Sequence, residues 1–195
     1  MEYTIRAAEL DDCDAIGSVH VLAWQAAHRG VMSDEYLDGL RAEDRATMWR
    51  RSFAVPRPDQ RLTVVVHAGE VVGFAASGPE AGESARSDVG ELYAINFEPS
   101  SWGKGFGRAL LHDATEALVT AGYRSAVLWV VPQNTRARSL YESEGWIDDD
   151  FAHDHELLAV TGGQARLERP GADPVPLSIG GQSFRRELVG VALTG

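Results

Sequence analysis

Residues 91–111 of the chain read ELYAINFEPSSWGKGFGRALL, and this stretch decides how the rest of the sequence is interpreted. A β-type segment reaches an acidic-proline turn, after which glycines alternate with other residues and an apolar helical pattern begins. The glycines are Gly103, Gly105 and Gly107. Backbone amides that converge without side chains in the way can form an anion nest, and the helix running on from Arg108 adds unpaired N–H groups at its start. With charge from Lys104 and Arg108, the loop is suited to a phosphate or pyrophosphate.

Two common phosphate-binding loops have a different spacing. A Walker A loop requires G-x-x-x-x-G-K-[ST], which is absent, and a dinucleotide-binding fingerprint requires a third glycine where Arg108 stands. The glycines alone leave a tight turn and a phosphate site equally open. Because neither spacing is present, binding of a nucleotide through a Walker A loop or a dinucleotide fingerprint is disfavoured.

Upstream of this stretch, the hydrophobic period predicts helices first and strands later. The expected elements are a strand at 3–8, a helix that Asp11 or Asp12 caps and Gly30 ends, a short helix capped by Ser33, a helix at 42–53, and strands at 61–68, 71–78 and 87–97. Gly69-Glu70 between two of these strands is a hairpin signal. The strand at 87–97 is long enough to bend.

Downstream, helices and strands alternate. The expected elements are a helix from Arg108 to near Gly122, a strand at 125–131, a helix at 134–145 capped by Asn134, a strand beginning within 146–155, and a last strand at 182–193. The pattern weakens at 156–180, where glycines and prolines predict a flap or a hairpin-bearing insertion. The predicted fold class is α+β, with a single domain over 1–195, a mixed, mostly antiparallel central sheet and helices on both faces.

Composition excludes several classes of function. The net charge of −11 disfavours nucleic acid as a partner, because phosphate contacts need clustered Lys and Arg. Cys13 is the only cysteine, which fits a reducing compartment. The N-terminus has no signal-peptide pattern, and no apolar run approaches the ~18 residues of a membrane span. The sequence therefore predicts a cytoplasmic protein without a membrane partner.

Two motifs carry a family resemblance. The stretch 91–111 resembles the acyl-CoA-binding motif of the GNAT N-acetyltransferase superfamily, [QR]-x-x-G-x-[GA], except that Trp102 stands where the family usually has Gln or Arg. The stretch 134–146, NTRARSLYESEGW, resembles the later family motif N-x-x-A-x-x-x-Y-E-x-x-G-[FW]. Both motifs stand in the family's order, separated by a helix and a strand, and the resemblance covers residues 91–146 closely.

The resemblance implies transfer of an acetyl group from acetyl-CoA to an amine. It assigns cofactor binding to the end of the bent strand, to the glycine loop and to the start of the later helix. The residues concerned are Ile95, Asn96, Phe97, Trp102, Gly103, Lys104, Gly105, Phe106, Gly107, Arg108 and Asn134. Most of these contacts would be made by the main chain, so the requirement on side chains is small.

The resemblance also implies catalytic roles. Tyr141 would protonate the departing thiolate of coenzyme A, and the alternative is core packing on an amphipathic helix. Because it precedes the acyl-binding end of the bent strand, Glu91 is the candidate base that removes a proton from the amine, with Asp88 as its competitor and a surface carboxylate as the alternative.

The acceptor would bind near the N-terminal helices, where Trp24, His28 and Tyr36 could line a pocket, although ordinary helix packing explains them as well. His153 and His155 lie in the acidic run DDDFAHDHE, for which a solvated acidic loop is a better explanation than a metal site.

Two functions remain open from the sequence. The first is an N-acetyltransferase that moves the acetyl group of acetyl-CoA directly to a primary amine in a ternary complex, the acceptor being a small molecule or a peptide N-terminus. The second is a non-catalytic acyl-CoA-binding regulatory module on the same fold. A homodimer is common in the family and stays open.

Overall fold

A seven-stranded sheet lies at the centre of the computed structural model, which describes residues 2–54, 57, 59–81, 85–156 and 178–187. The strands are β1 (Thr4–Ala7), β2 (Arg61–His67), β3 (Glu70–Pro79), β4 (Val89–Phe97), β5 (Ser125–Val130), β6 (Ile147–Glu156) and β7 (Ser178–Glu187). The helices are α1 (Cys13–His28), α2 (Asp34–Gly39), α3 (Ala42–Ala54), α4 (Phe106–Thr120) and α5 (Thr135–Ser143).

The strand order is β1-β2-β3-β4-β5-β7-β6. β4 and β5 pair in parallel, and the other pairings are antiparallel. The predicted α+β class with a mixed, mostly antiparallel sheet is therefore confirmed.

Each face of the sheet has its own apolar core. On one face, α4 and α5 pack over Leu92, Ala126 and Leu128. On the other face, α1 and α3 pack over Val64 and Phe74. Because β4 and β5 run through the centre, their side chains contact the cores on both faces of the sheet.

Local signals in the sequence set several element boundaries. Ala68 and Gly69 have φ angles of 53° and 85°, so they form the primed turn that joins β2 to β3. Ser33 caps α2, its hydroxyl accepting a hydrogen bond from the N–H of Tyr36 at 3.2 Å. Asn134 caps α5 in the same way, through the N–H of Ala137 at 3.2 Å.

The start of α1 differs from the prediction. Asp12 precedes the helix, but its side chain makes no capping bond. Its carboxylate instead accepts two hydrogen bonds from Arg6, at 2.6 and 2.8 Å, and one from the N–H of Glu9 at 2.8 Å. The hydrogen bond from Arg6 holds the pKa of Asp12 below its ordinary value. Asp12 therefore ties β1 to the beginning of α1.

Two further boundaries are corrected. α4 begins at Phe106, two residues earlier than expected, because the Phe106 side chain is buried and anchors the first turn. Residues 148–156 belong to strand β6, which confirms the strand predicted to begin within 146–155. The solvated acidic loop predicted for the same run is therefore wrong. Of the predicted insertion at 156–180, residues 157–177 lie outside the described residues.

In the part of the chain that is described, no helix combines the length and the apolar character needed to cross a membrane.

Candidate active site

β4 and β5 separate beyond the middle of the sheet. Their parallel register extends from Val89–Ser125 to Leu92–Leu128, although β4 continues to Phe97. The register between β4 and β3 shifts at the same level, which leaves Tyr93 as an extra residue on β4. Such a bulge bends its strand. The bend opens a gap in which the last residues of β4, including the predicted Ile95, Asn96 and Phe97, present main-chain groups without a partner on β5.

The glycine turn lies at the end of this gap. Gly103 and Gly105 have φ angles of 75° and 87°, and a Cβ added at either would meet no atom within 4 Å of it. The left-handed backbone requires glycine here, and the space outside the turn is open. Gly105 precedes α4 without a capping side chain, so the first N–H groups of α4 face that space. This geometry is that of an anion site at a helix start.

Gly107 has a different role from the other two glycines. A Cβ at this position would lie 3.3 Å from Cδ2 of Leu140 on α5. Its small size therefore lets the first turn of α4 approach α5 closely. α5 is thereby held alongside the glycine turn.

The cations around the turn are not equivalent. Nε of Arg108 lies 2.6 Å from Oε1 of Glu144, so its charge is partly neutralised by α5. Lys104 is exposed on the turn itself. Trp102 packs against the core, and the guanidinium of Arg136 stacks over its ring at 4.6 Å from the centroid. Arg136 is missing from the sequence-based prediction, because its position depends on the contact between α5 and the turn.

Tyr141 is buried on α5, with 5% of its surface exposed. It belongs to the apolar core beneath α4, and its ring centroid lies 6.3 Å from that of Trp146. Burial raises the pKa of the phenol above its ordinary value. The core packing that was the alternative for this position is therefore observed, and the raised pKa makes this phenol a weaker acid than a tyrosine in water.

Glu91 is a buried carboxylate one residue before the strands separate, with 9% of its surface exposed. Burial raises its pKa to about 7, although a hydrogen bond from the N–H of Ala81 at 2.9 Å opposes this. The charge of Glu80 adds to the increase. A surface role for Glu91 is thereby excluded, whereas its competitor Asp88 lies exposed in the turn before β4.

The predicted acceptor residues occupy the same face of the sheet as Glu91. Leu92 faces α4, so by alternation Glu91 faces α1. Val131, just past the end of β5, packs on that side with Trp24 and the half-buried Tyr36.

His28 is joined to this group through Trp24. Its Nδ1 donates to the carbonyl of Trp24 at 3.1 Å, and the two ring centroids are 5.0 Å apart. Burial lowers the pKa of His28. The imidazole is therefore neutral at neutral pH, and the structure brings Trp24, His28 and Tyr36 to one end of α1 and α2.

His20 is a second residue that the sequence-based prediction missed. Its Nδ1 accepts a hydrogen bond from Nε1 of Trp49 at 3.2 Å, and burial lowers its pKa to about 3. Its ring lies next to Trp24, with 5.3 Å between centroids. The four-residue spacing of His20, Trp24 and His28 along α1 is the signal that could have identified it.

Comparisons with known proteins agree with this geometry. The model of the acetyltransferase (GNAT) family matches residues 22–146. The uncharacterized N-acetyltransferase YuaI of Bacillus subtilis (strain 168) is 33% identical over 153 residues, which is 76% of this chain and 84% of YuaI. Mycothiol acetyltransferase of Renibacterium salmoninarum is 33% identical over 85 residues, which is 44% of this chain and 25% of that enzyme.

The fold is also shared with solved structures. The PaiA N-acetyltransferase from Thermoplasma acidophilum, solved in complex with coenzyme A, superposes with a TM-score of 0.68 at 18% identity, covering 96% of this chain and 99% of that one. At this identity the likeness concerns the fold alone. The family model spans both motifs, the glycine turn and the separated strands, and the chain therefore belongs to the GNAT family of acetyltransferases.

Proposed function

We propose that the protein transfers the acetyl group of acetyl-CoA to a primary amine by direct attack in a ternary complex. The observation that carries this proposal is the glycine turn, with its open space and exposed helix start, at the end of the gap between β4 and β5. The open turn, which suits an anion, and the free main-chain edge of β4 follow one another there. Coenzyme A has the same order of parts, a diphosphate followed by a peptide-like pantetheine arm.

In this proposal the donor is bound mainly by backbone groups. The N–H groups from Gly103 to Arg108 bind the diphosphate, and the free edge of Ile95, Asn96 and Phe97 binds the pantetheine arm. A main-chain N–H at that edge also polarises the thioester carbonyl, because it can donate to the oxygen as negative charge develops there. Asn134 caps α5 beside the same gap.

Glu91 is the base in this mechanism. An alkylammonium with a pKa near ~10.4 is almost entirely protonated at neutral pH and cannot attack. The Glu91 carboxylate accepts that proton, directly or through water, and the amine lone pair then forms the C–N bond to the thioester carbon. Its pKa of about 7 suits the task, since half of the enzyme carries the ionised form at that pH.

Tyr141 completes the transfer. The tetrahedral intermediate collapses, the C–S bond breaks, and the thiolate of coenzyme A takes the phenolic proton. The raised pKa of the phenol by itself disfavours this transfer, because a thiol in water has a pKa near ~8.5. A thiolate that forms in the same dry site is also removed from water, which makes it a stronger base and favours its taking the phenolic proton. The nitrogen gives up its second proton as the amide forms, which restores the proton of the Tyr141 phenol, and Glu91 releases to solvent the proton that it took from the amine.

The position of Cys13 does not support a mechanism through a covalent acyl-enzyme. Cys13, the only cysteine in the sequence, is fully buried at the start of α1 in the core below α3. Burial raises the pKa of its thiol, which lowers the fraction of nucleophilic thiolate. Direct transfer therefore fits the structure better than a two-step route.

The acceptor is a primary amine that binds between the end of β5 and the helices α1 and α2. Trp24, His28 and Tyr36 line this region on the face that carries Glu91. A small amine and a peptide N-terminus both fit this chemistry. The cytoplasmic location, the single domain and the homodimer stay predictions.

The competing function is a non-catalytic acyl-CoA-binding module, and one experiment separates the two. Acetyl-CoA should raise the melting temperature, and a panel of amines should then release free thiol from acetyl-CoA in the presence of the enzyme. A thermal shift without thiol release across a broad panel would favour the binding module. The absence of any shift would contradict both.

A further inference from the structure

Trp102 and Arg136 form a contact between the glycine turn and α5. Cζ of Arg136 lies 4.6 Å from the centroid of the Trp102 ring. The indole is itself fixed, because Nε1 donates to the carbonyl of Phe97 at 3.1 Å and the ring packs against the main core. The guanidinium is therefore held over a rigid surface beside the turn.

The position of Arg136 in α5 is unfavourable for the helix alone. Arg136 is the second residue of α5, whose first turn carries no acidic residue. A helix start has a partial positive charge, so Asp and Glu are favoured there and Arg is not. A residue that violates a local rule in a well-formed element points to a functional reason for its presence.

Arg136 also differs from its neighbours in its charge partners. Arg108 is paired with Glu144, and Arg138 on the same helix is paired with Glu142 and Asp148, at 3.8 and 3.6 Å. For the exposed Arg136, no carboxylate oxygen of the described residues lies within 4.0 Å of the guanidinium. Its charge is thus available to an anion brought to the turn.

We propose that Arg136 binds a phosphate oxygen of acetyl-CoA and that the face of Trp102 holds it in position to do so. This inference rests on the proposed function, because it concerns the same donor site. The close approach of Gly107 to Leu140 keeps α5 beside the glycine turn. A guanidinium is planar, and its fork of N–H groups suits bidentate binding of phosphate.

The test compares donors with and without phosphates. We expect Arg136→Gln to weaken acetyl-CoA binding about tenfold, measured by titration calorimetry, and to leave binding of acetylpantetheine, which has no phosphate, unchanged. Arg136→Lys should fall between wild type and Gln, since it keeps the charge but loses the fork. Arg124→Gln removes the same charge from an exposed site at the start of β5 and should bind both donors like wild type.

Two results would overturn the proposal. One is an Arg136→Gln variant that binds acetyl-CoA as tightly as wild type. The other is an equal loss for both donors, which would show that Arg136 only supports the local fold. Failure of the wild type to bind acetyl-CoA would instead remove the proposed function itself, so the two failures are distinguishable.

The positioning role of Trp102 has its own test. Trp102→Phe keeps an aromatic face and should bind acetyl-CoA nearly as wild type does, whereas Trp102→Leu should reproduce the loss seen in Arg136→Gln. Combining Trp102→Leu with Arg136→Gln should add little, because both changes disrupt one contact. Fully additive losses would contradict the positioning role.

Discussion

Removal from water raises the pKa values of both Tyr141 and Glu91, and the consequence differs between the proposed acid and the proposed base. Desolvation disfavours the charged form of each group and raises both pKa values. For the phenol, the increase makes a weaker acid, so the proposed proton transfer requires a thiolate that is itself removed from water. For the carboxyl, it brings the pKa to about 7, where the group can accept and release a proton within one catalytic cycle.

Tyr141→Phe tests the proposed acid. We expect kcat to fall about a hundredfold and KM for acetyl-CoA to change little, since only the proton donor is lost and the ring still fills the core. Steady-state kinetics with a reactive amine measure both constants. Tyr123→Phe, which removes the same atom from a half-buried tyrosine outside the gap, is the control and should leave kcat unchanged. An unchanged kcat in Tyr141→Phe would remove the residue from the mechanism.

Glu91→Gln tests the proposed base. In the wild type kcat/KM should rise through a pH of about 7, the pKa of Glu91, as the carboxylate forms. The amide of the substituted side chain cannot accept a proton, so we expect the variant to lose about tenfold or more at pH 8 and to lack this inflection. The measurement is the pH profile of kcat/KM from pH 5 to 9. A variant profile that overlays that of wild type would eliminate Glu91 and return Asp88 to consideration.

The same substitution has a consequence for stability. The pKa of Glu91 is higher in the folded protein than in the unfolded chain, so its contribution to stability is greatest below the unfolded value and is lost as pH rises through about 7. Gln is neutral at every pH and keeps an acceptor for the N–H of Ala81. Glu91→Gln should therefore be the more stable protein at pH 8, by up to about 3 kcal/mol, with a smaller gap at pH 5. Urea unfolding at both pH values measures the gap, and a gap that does not widen with pH would contradict the assignment.

At the scale of single elements, the turn before α4 is built for a backbone shape that few residues adopt. Gly105 has a φ angle of 87°, and the space around it is open. Gly122, after the far end of α4, has a φ angle of 93° and equally open surroundings. The two positions therefore share the same conformational requirement, and only one of them adjoins the proposed donor site.

Gly105→Ala and Gly122→Ala form a matched pair of variants. Each should lower the free energy of unfolding by about 1 kcal/mol, because an L-residue in the left-handed region carries that strain. Only Gly105→Ala should also weaken acetyl-CoA binding, by about tenfold, since it adds a methyl group where the phosphates approach. Chemical unfolding and calorimetry measure the two effects. Equal binding losses in both variants would show that the turn has no special part in donor binding.

The elements were largely predictable because their signals are local. Ser33 and Asn134 cap their helices through bonds to N–H groups three residues away, and Gly69 closes the β2–β3 turn. Asp12 was predicted as a cap, but the sequence alone does not show that Arg6 from β1 competes for its carboxylate. Where an element boundary was wrong, as at Phe106, the deciding factor was burial, which is a tertiary property.

At the scale of the whole molecule, the net charge bears on how the proposed substrates approach the site. The net charge of −11 creates a field that attracts a cationic amine and repels an anionic cofactor. Lys104 and Arg136 provide a local region of opposite sign at the turn. At long range, the net charge therefore attracts the proposed amine and repels acetyl-CoA, which meets local positive charge near the glycine turn.

Ionic strength should separate these forces. With acetyl-CoA saturating, kcat/KM for a cationic amine should fall several-fold between about 0.01 and about 0.1 M salt, because screening weakens the long-range attraction. A neutral solute at matched osmolality should have no such effect. A kcat/KM that is independent of salt would mean that the acidic surface has no part in capturing the acceptor.

The arrangement of the site was only partly predictable. The two motifs place the glycine turn and Tyr141, since their residues are contiguous in sequence. The burial of Glu91 depends on packing from several elements, so the sequence left a surface role open until the structure excluded it. The stack of Arg136 on Trp102 joins residues from two motifs through a contact that neither motif encodes.

The extra residue at Tyr93 changes the parity of β4. Before it, Glu91 faces α1 and Leu92 faces α4; after it, Ala94 faces α1 and Ile95 faces α4, so two successive residues, 93 and 94, point to the same side. Without the extra residue, strict alternation would place Leu92 and Phe97 on opposite faces of the sheet, and they could not both face α4. Deleting one residue here would exchange the faces to which the residues after Tyr93 point. The polar Asn96 would then enter the core under α4 in place of Phe97. This part of the chain should therefore tolerate substitution far better than any change in its length.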